Sequence, residues 1–163
     1  MKYAVIYQSE TGNTRELAKN IFVSLPDSDK TITDAEKMTE LPKADCYFIG
    51  FPVKNRNCPF EITDILEQLG EVKIALFATC GLPAKDKYKQ YIENAIKPWL
   101  NDESEYLGFF LCQGKISEKY QEKLASETNY SPDELDKIAE LAASHPDDSD
   151  IDSLFEFVES VIK

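Results

Sequence analysis

The sequence is short of the residues that most enzymes use for chemistry. It has one histidine, one tryptophan, two methionines and six glycines in 163 residues. The lone His145 stands in Ser144-His145-Pro146-Asp147, which reads as a turn between helices and supports no Ser-His-Asp arrangement. The four cysteines, Cys46, Cys58, Cys80 and Cys112, form no C-x-x-C pair, so zinc and iron–sulfur ligand sets are missing. None is followed six positions on by arginine, which excludes a cysteine-phosphatase loop. Neither G-x-x-x-x-G-K-[ST] nor G-x-G-x-x-G occurs, which counts against nucleoside triphosphates and dinucleotides. No apolar run approaches the ~20 residues of a membrane helix. The run from Tyr3 to Tyr7 is too short for a secretory core, so a cytoplasmic location without membrane insertion is expected. Bases are scarce as well. Eighteen face 30 acids, a net charge of −12, and this disfavours nucleic acid as a partner.

What is present suffices for a packed core: 42% of residues are hydrophobic and 11% aromatic. The length fits one domain spanning 1–163, with no repeat or linker. The charge is unevenly spread. Residues 1–100 carry 14 acids and 13 bases, whereas residues 101–163 carry 16 acids and 5 bases.

Strand and helix signals alternate. Tyr3–Tyr7, Cys46–Phe51, Val72–Ala78 and Tyr106–Cys112 are apolar runs of strand length, and Thr31–Thr33 is a short edge candidate. Leu17, Ala18, Ile21, Phe22 and Leu25 recur at helical spacing, as do Ile62, Ile65, Leu66 and Leu69. A third helix runs from Tyr88 toward Trp99, with Trp99 expected in the core. Five strands interleaved with helices predict an α/β fold, a doubly wound parallel sheet covered on both faces. Extra helices follow the fifth strand. One covers Ser117 to Ala125, and a second starts at the capping box Ser131-Pro132-Asp133-Glu134. A third is expected to be capped by Ser149 or Asp150.

In such sheets ligands bind beyond the carboxyl ends of the strands. That confines the search to residues 8–14, 51–60, 79–87 and 113–117. The first segment reads Gln8-Ser9-Glu10-Thr11-Gly12-Asn13-Thr14, between a strand and an amphipathic helix. A helix N-terminus offers free N–H groups and a favourable dipole to an anion. Ser9, Thr11 and Thr14 add hydroxyls, Asn13 an amide, and Gly12 allows a tight turn. The segment reads as a phosphate loop.

Ser9-Glu10-Thr11-Gly12-Asn13-Thr14 matches [ST]-x-[ST]-G-x-[ST], the phosphate loop of the flavodoxin family. The chain resembles flavodoxins over roughly residues 1–116, including Lys43-Ala44-Asp45 before the third strand and Gly50-Phe51-Pro52 at its end. Gly108 to Ile116 is similar to a divergent branch of short flavodoxin-like proteins. The resemblance implies strand order 2-1-3-4-5, non-covalent FMN, and electron transfer to or from a partner oxidoreductase. It is the flavin that would do the chemistry, with no catalytic side chain. Ser9, Glu10, Thr11, Gly12, Asn13 and Thr14 are then expected at the phosphate, and Phe51, Pro52, Val53, Lys54, Thr79, Cys80 and Gly81 around the ring.

Two features depart from the family pattern. The loop after strand three has no tryptophan, and the one after strand four has no aromatic before Tyr88. Tyr88 is either a ring contact or the first apolar position of its helix. These loops also carry or lead into Lys54, Arg56, Lys85, Lys87 and Lys89 where flavodoxins are acidic. These are either solvated surface cations or a rim that favours the anionic hydroquinone and greets a partner with an acidic docking face. Cys58 and Cys80 share the ligand edge, where a redox pair is conceivable but no reactivity cue is evident. The leading expectation is an electron carrier or FMN-dependent reductase subunit. The alternative is a degenerate accessory or regulatory module with weak or no FMN binding.

Overall fold

The structure, a computed structural model, describes residues 1–27 and 29–163. Five strands form one parallel sheet in the order β2-β1-β3-β4-β5: β1 Tyr3–Tyr7, β2 Lys30–Asp34, β3 Cys46–Pro52, β4 Lys73–Cys80 and β5 Glu105–Gln113. The helices are α1 Asn13–Ser24, α2 Phe60–Gln68, α3 Asp86–Ile96, α4 Glu118–Glu127, α5 Pro132–Ala143 and α6 Asp148–Ile162. Short 3₁₀ turns at Ala35–Lys37 and Lys97–Trp99 complete the order.

Successive strand residues point to opposite faces, and both faces are apolar. Val5, Phe48, Phe77 and Phe110 pack against Leu17, Ala18 and Ile21 of α1 and Leu154 and Val158 of α6. Ile6, Ile49, Leu76 and Leu111 pack against Ile62, Ile65 and Leu66 of α2 and Ile92 and Ile96 of α3. This double burial explains why the central strands read as unbroken apolar runs. The edge strand β2 is only half-buried, which is why its threonine-rich signal is short. The α4–α5 pair belongs to neither layer. It follows β5 beyond the carboxyl edge of the sheet.

Three local expectations need correction. Thr79 and Cys80 continue β4 instead of leaving it, because Thr79 pairs with Pro52 and Cys112, and Cys80 pairs with Gln113. Asp147 caps α6, not Ser149 or Asp150. Its carboxylate accepts the Asp150 N–H at 2.9 Å, while the Asp150 carboxylate accepts the Asp147 N–H. Trp99 is not in the core. It lies in a 3₁₀ turn past the end of α3 and is 37% exposed.

Two substitutions test this packing. A Cβ at Gly50 would lie 2.1 Å from ring carbons of Phe77, whose side chain is fully buried and has no room to swing away. Gly50→Ala is expected to lower stability by about 1–3 kcal/mol, as overpacking does, visible as a lower urea midpoint. At α5, the Ser131 hydroxyl accepts the Glu134 N–H and Glu134 returns a carboxylate to the Ser131 N–H. Ser131→Ala is expected to cost about 1 kcal/mol in the same assay; an unmoved midpoint would show that the cap adds nothing to the folded chain.

Candidate functional site

The segment between β1 and α1 turns at Gly12, whose φ of 92° lies in the left-handed region that glycine adopts without penalty. The Ser9 hydroxyl accepts the N–H of Gly12 at 3.2 Å and of Arg15 at 3.3 Å, folding the loop over the helix start. Asn13 Nδ2 donates to Thr11 Oγ1 and to the Lys115 carbonyl at 2.8 Å, tying this loop to the one after β5. Thr14 is buried, and its hydroxyl pairs with Thr79 Oγ1 at 2.9 Å. The backbone N–H groups of Asn13 and Thr14 have no acceptor among the described residues. They are the orphan donors of a helix N-terminus.

The other strand ends meet this loop. After β3, Lys54 and Asn57 exchange backbone hydrogen bonds around Asn55 and Arg56, both at positive φ, as in a two-residue turn. The Val53 N–H donates to the Thr79 carbonyl at 2.8 Å, and the Gly114 N–H to the Cys80 carbonyl at 2.9 Å. Gln113 Nε2 holds the Gly81 carbonyl at 2.9 Å. Two glycines are fixed by close approach. A Cβ on Gly114 would lie 2.5 Å from Asn13 Nδ2, and one on Gly81 would lie 2.5 Å from Tyr120 Cε1.

These loops and α4 enclose a cavity of about 580 Å³. It is lined by Glu10, Thr11 and Asn13; by Pro52 to Asn55; by Thr79, Cys80 and Gly81; and by Gly114 to Ser117. Helix α4 adds Lys119, Tyr120, Glu122, Lys123 and Ser126. Lys123 Nζ donates to Asn55 Oδ1 at 2.8 Å, so α4 is clasped to the β3–α2 turn across the mouth. Four lysines face two acids here. Lys54 pairs with Glu10, leaving Lys115, Lys119 and Lys123 against Glu122, a net positive lining in a molecule of net charge −12.

Most of the residues expected at the site converge on this cavity: Glu10, Thr11, Asn13, Pro52, Val53, Lys54, Thr79, Cys80 and Gly81 line it. Ser9, Gly12 and Thr14 are not in the lining, and the Ser9 and Thr14 hydroxyls are engaged within the protein. Phe51 does not reach the cavity. It is fully buried on the α2–α3 face and stacks on Phe109, with ring centroids 6.4 Å apart. Tyr88 packs on the same core, as the first apolar position of α3. The basic rim also differs from expectation: Arg56, Lys85 and Lys87 are not in the lining, and lysines of the acidic C-terminal region take their place. The signal for α4 was present but ambiguous. Lys119, Lys123 and Ser126 share one helical face, and such a polar face also describes a solvated helix.

Cys58 and Cys80 are free and buried. Burial pushes the Cys58 thiol up to about 11 and the Cys80 thiol up to about 12, far from the thiolate that redox exchange requires. Cys80 Sγ instead donates to the Leu82 carbonyl at 3.1 Å. His145 Nδ1 lies 2.6 Å from Asp150 Oδ2, inside the α6 capping box, where it steadies the turn.

Comparison with known proteins agrees with this architecture. The flavodoxin domain family matches residues 4–159. The flavodoxin-like domain-containing protein BilS of Clostridioides difficile (strain CD3) is 34% identical over 161 residues, covering 93% of this chain and 90% of that protein. A short-chain flavodoxin associated with a bacterial microcompartment superposes with a TM-score of 0.61 at 16% identity, covering 99% of this chain and 97% of the other. A flavoprotein from Lactobacillus acidophilus NCFM, solved in complex with FMN, gives a TM-score of 0.51 at 17% identity over 68% of this chain and 92% of its own. From its phosphate-loop pattern, its 2-1-3-4-5 sheet and these matches together, the chain belongs to the flavodoxin domain family.

Proposed function

We propose that the protein binds FMN and transfers electrons to or from a partner oxidoreductase in the cytoplasm. The observation that carries this reading is the cavity at the carboxyl edge of the sheet, lined by Glu10, Thr11 and Asn13 beside helix N-terminal N–H groups that have no acceptor among the described residues. The residues present suit the cofactor. Thr11, Asn13 and the N–H groups of Asn13 and Thr14 suit a phosphate. Pro52, Val53, Thr79 and Cys80 offer a partly apolar wall, and the absence of a side chain at Gly81 leaves room there for Tyr120 and Ile116. Bound FMN supplies one- or two-electron transfer. The chain's own groups bind it, exclude water from one side and set the local field.

That field is positive. Lys115, Lys119 and Lys123 favour negative charge in the cavity, including that of the fully reduced flavin, and they suit a partner with an acidic docking face. A carrier so tuned accepts electrons at a higher potential than one ringed by acids. The competing reading, an accessory module that has lost FMN, draws on the absence of Phe51 from the cavity.

Two measurements decide between them. Adding FMN to the purified protein is expected to give saturable, one-to-one binding with a structured visible spectrum and reversible reduction. A protein that stays colourless in excess FMN is the accessory module instead. In the loaded protein, Lys119→Glu/Lys123→Glu is expected to lower the potential for full reduction by tens of millivolts, with the difference shrinking as salt is added. Potentials that coincide at low ionic strength would remove the electrostatic role.

A further inference from the structure

The cavity has an aromatic surface in a place that the sequence did not suggest. Among the described residues lining it, Tyr120 is the one aromatic. The candidates from the strand-end loops are elsewhere. Phe51 is buried against Phe109, Tyr88 belongs to the α3 core, and Phe60 is 75% exposed at the start of α2. Tyr120 is half-buried and reaches across the floor, where its ring edge occupies the space that a side chain at Gly81 would need.

Its position is held from three directions. The Tyr120 N–H donates to the Ser117 hydroxyl at 3.1 Å, which fixes the first turn of α4. Ile116 packs beside it over Gly81. One turn further on, Lys123 clasps Asn55 across the mouth. A side chain held at a cavity wall loses little further freedom when a ligand binds, so more of the contact energy appears as affinity.

We propose that Tyr120, carried on the helix after β5, is the aromatic surface against which a flavin ring binds in this cavity. The proposal rests on the FMN reading above and assigns the ring contact within it. It also accounts for the small residue at position 81. Placing the aromatic on α4 requires that the end of β4 be bare, since both would otherwise fill one space.

The test compares wild type, Tyr120→Phe and Tyr120→Leu by FMN titration and by the emission of bound flavin. Phenylalanine keeps the ring face but not the easily oxidised phenol. Leucine keeps apolar packing over Gly81 but no ring. Stacking on an aromatic side chain is worth enough that Tyr120→Leu is expected to weaken FMN binding about tenfold. Tyr120→Phe is expected to bind close to wild type. A phenol beside a flavin quenches its emission by electron transfer, so bound flavin is expected to be brighter in both variants. A residue that merely packs α4 in place would not produce that change in the phenylalanine variant. Equal affinity in wild type and Tyr120→Leu, with unchanged emission in both variants, would overturn the assignment. Failure of wild type to bind FMN at all would instead overturn the functional reading on which it rests.

Discussion

Both faces of the central sheet are buried, and that constraint governs everything else in the molecule. With α1 and α6 on one face and α2 and α3 on the other, neither face has room for a ligand. Polar chemistry is confined to the carboxyl edge, where strand carbonyls and helix N–H groups run out of regular partners. The edge is then stitched by a few bonds between distant segments. The Thr14 hydroxyl meets that of Thr79 across 65 positions, and the Asn13 amide reaches the Lys115 carbonyl across 102. These bonds make the loops one surface, so a change in any strand end is felt by the whole cavity.

The same constraint explains what could be read in advance. Burial on both faces writes continuous apolar runs, so β1, β3, β4 and β5 stood out and their order followed from the family pattern. A phosphate loop is local, so Ser9 to Thr14 was legible as six adjacent residues. The position of Phe51 was not. It follows Gly50 at the end of β3, and sequence alone does not say which face an apolar residue takes there. Phe51 lies inside the expected strand, and alternation puts it on the same face as Tyr47 and Ile49, in the α2–α3 core. Trp99 fails for the opposite reason. The 3₁₀ turn at Lys97–Trp99 breaks the α-helical period on which its burial was inferred.

Charge was legible as an asymmetry but not as a placement. The C-terminal third is acidic in sum, yet its lysines are not scattered. Lys115, Lys119 and Lys123 recur every four positions from the β5–α4 loop into α4 and line the cavity, while Asp148 and Asp152 lie exposed on α6 and Asp147 caps it. The net charge of −12 therefore says little about the site. Coulomb interactions through water and salt fade over roughly 10 Å, so the four lysines and two acids of the lining count for more there than the acids of α6. The lining of the cavity thus carries a net charge of the opposite sign to that of the whole molecule.

The C-terminal helices are thus two different things. Helix α6 closes the hydrophobic layer beside α1, as an α/β sheet requires, and its apolar stripe of Leu154 and Val158 suffices for that. Helix α4 buries only Leu124 of its own length, too little to be placed by the hydrophobic effect alone. It is placed by α5, against which it packs and to whose Asp136 carboxylate Gln121 donates, and by close approach at the sheet edge. Gly81 admits Tyr120 and Ile116, Gly114 admits Asn13, and the Lys123–Asn55 bond spans the mouth. The cavity wall and the fold thus rest on different parts of the chain, the wall on α4 and the fold on the double-faced sheet.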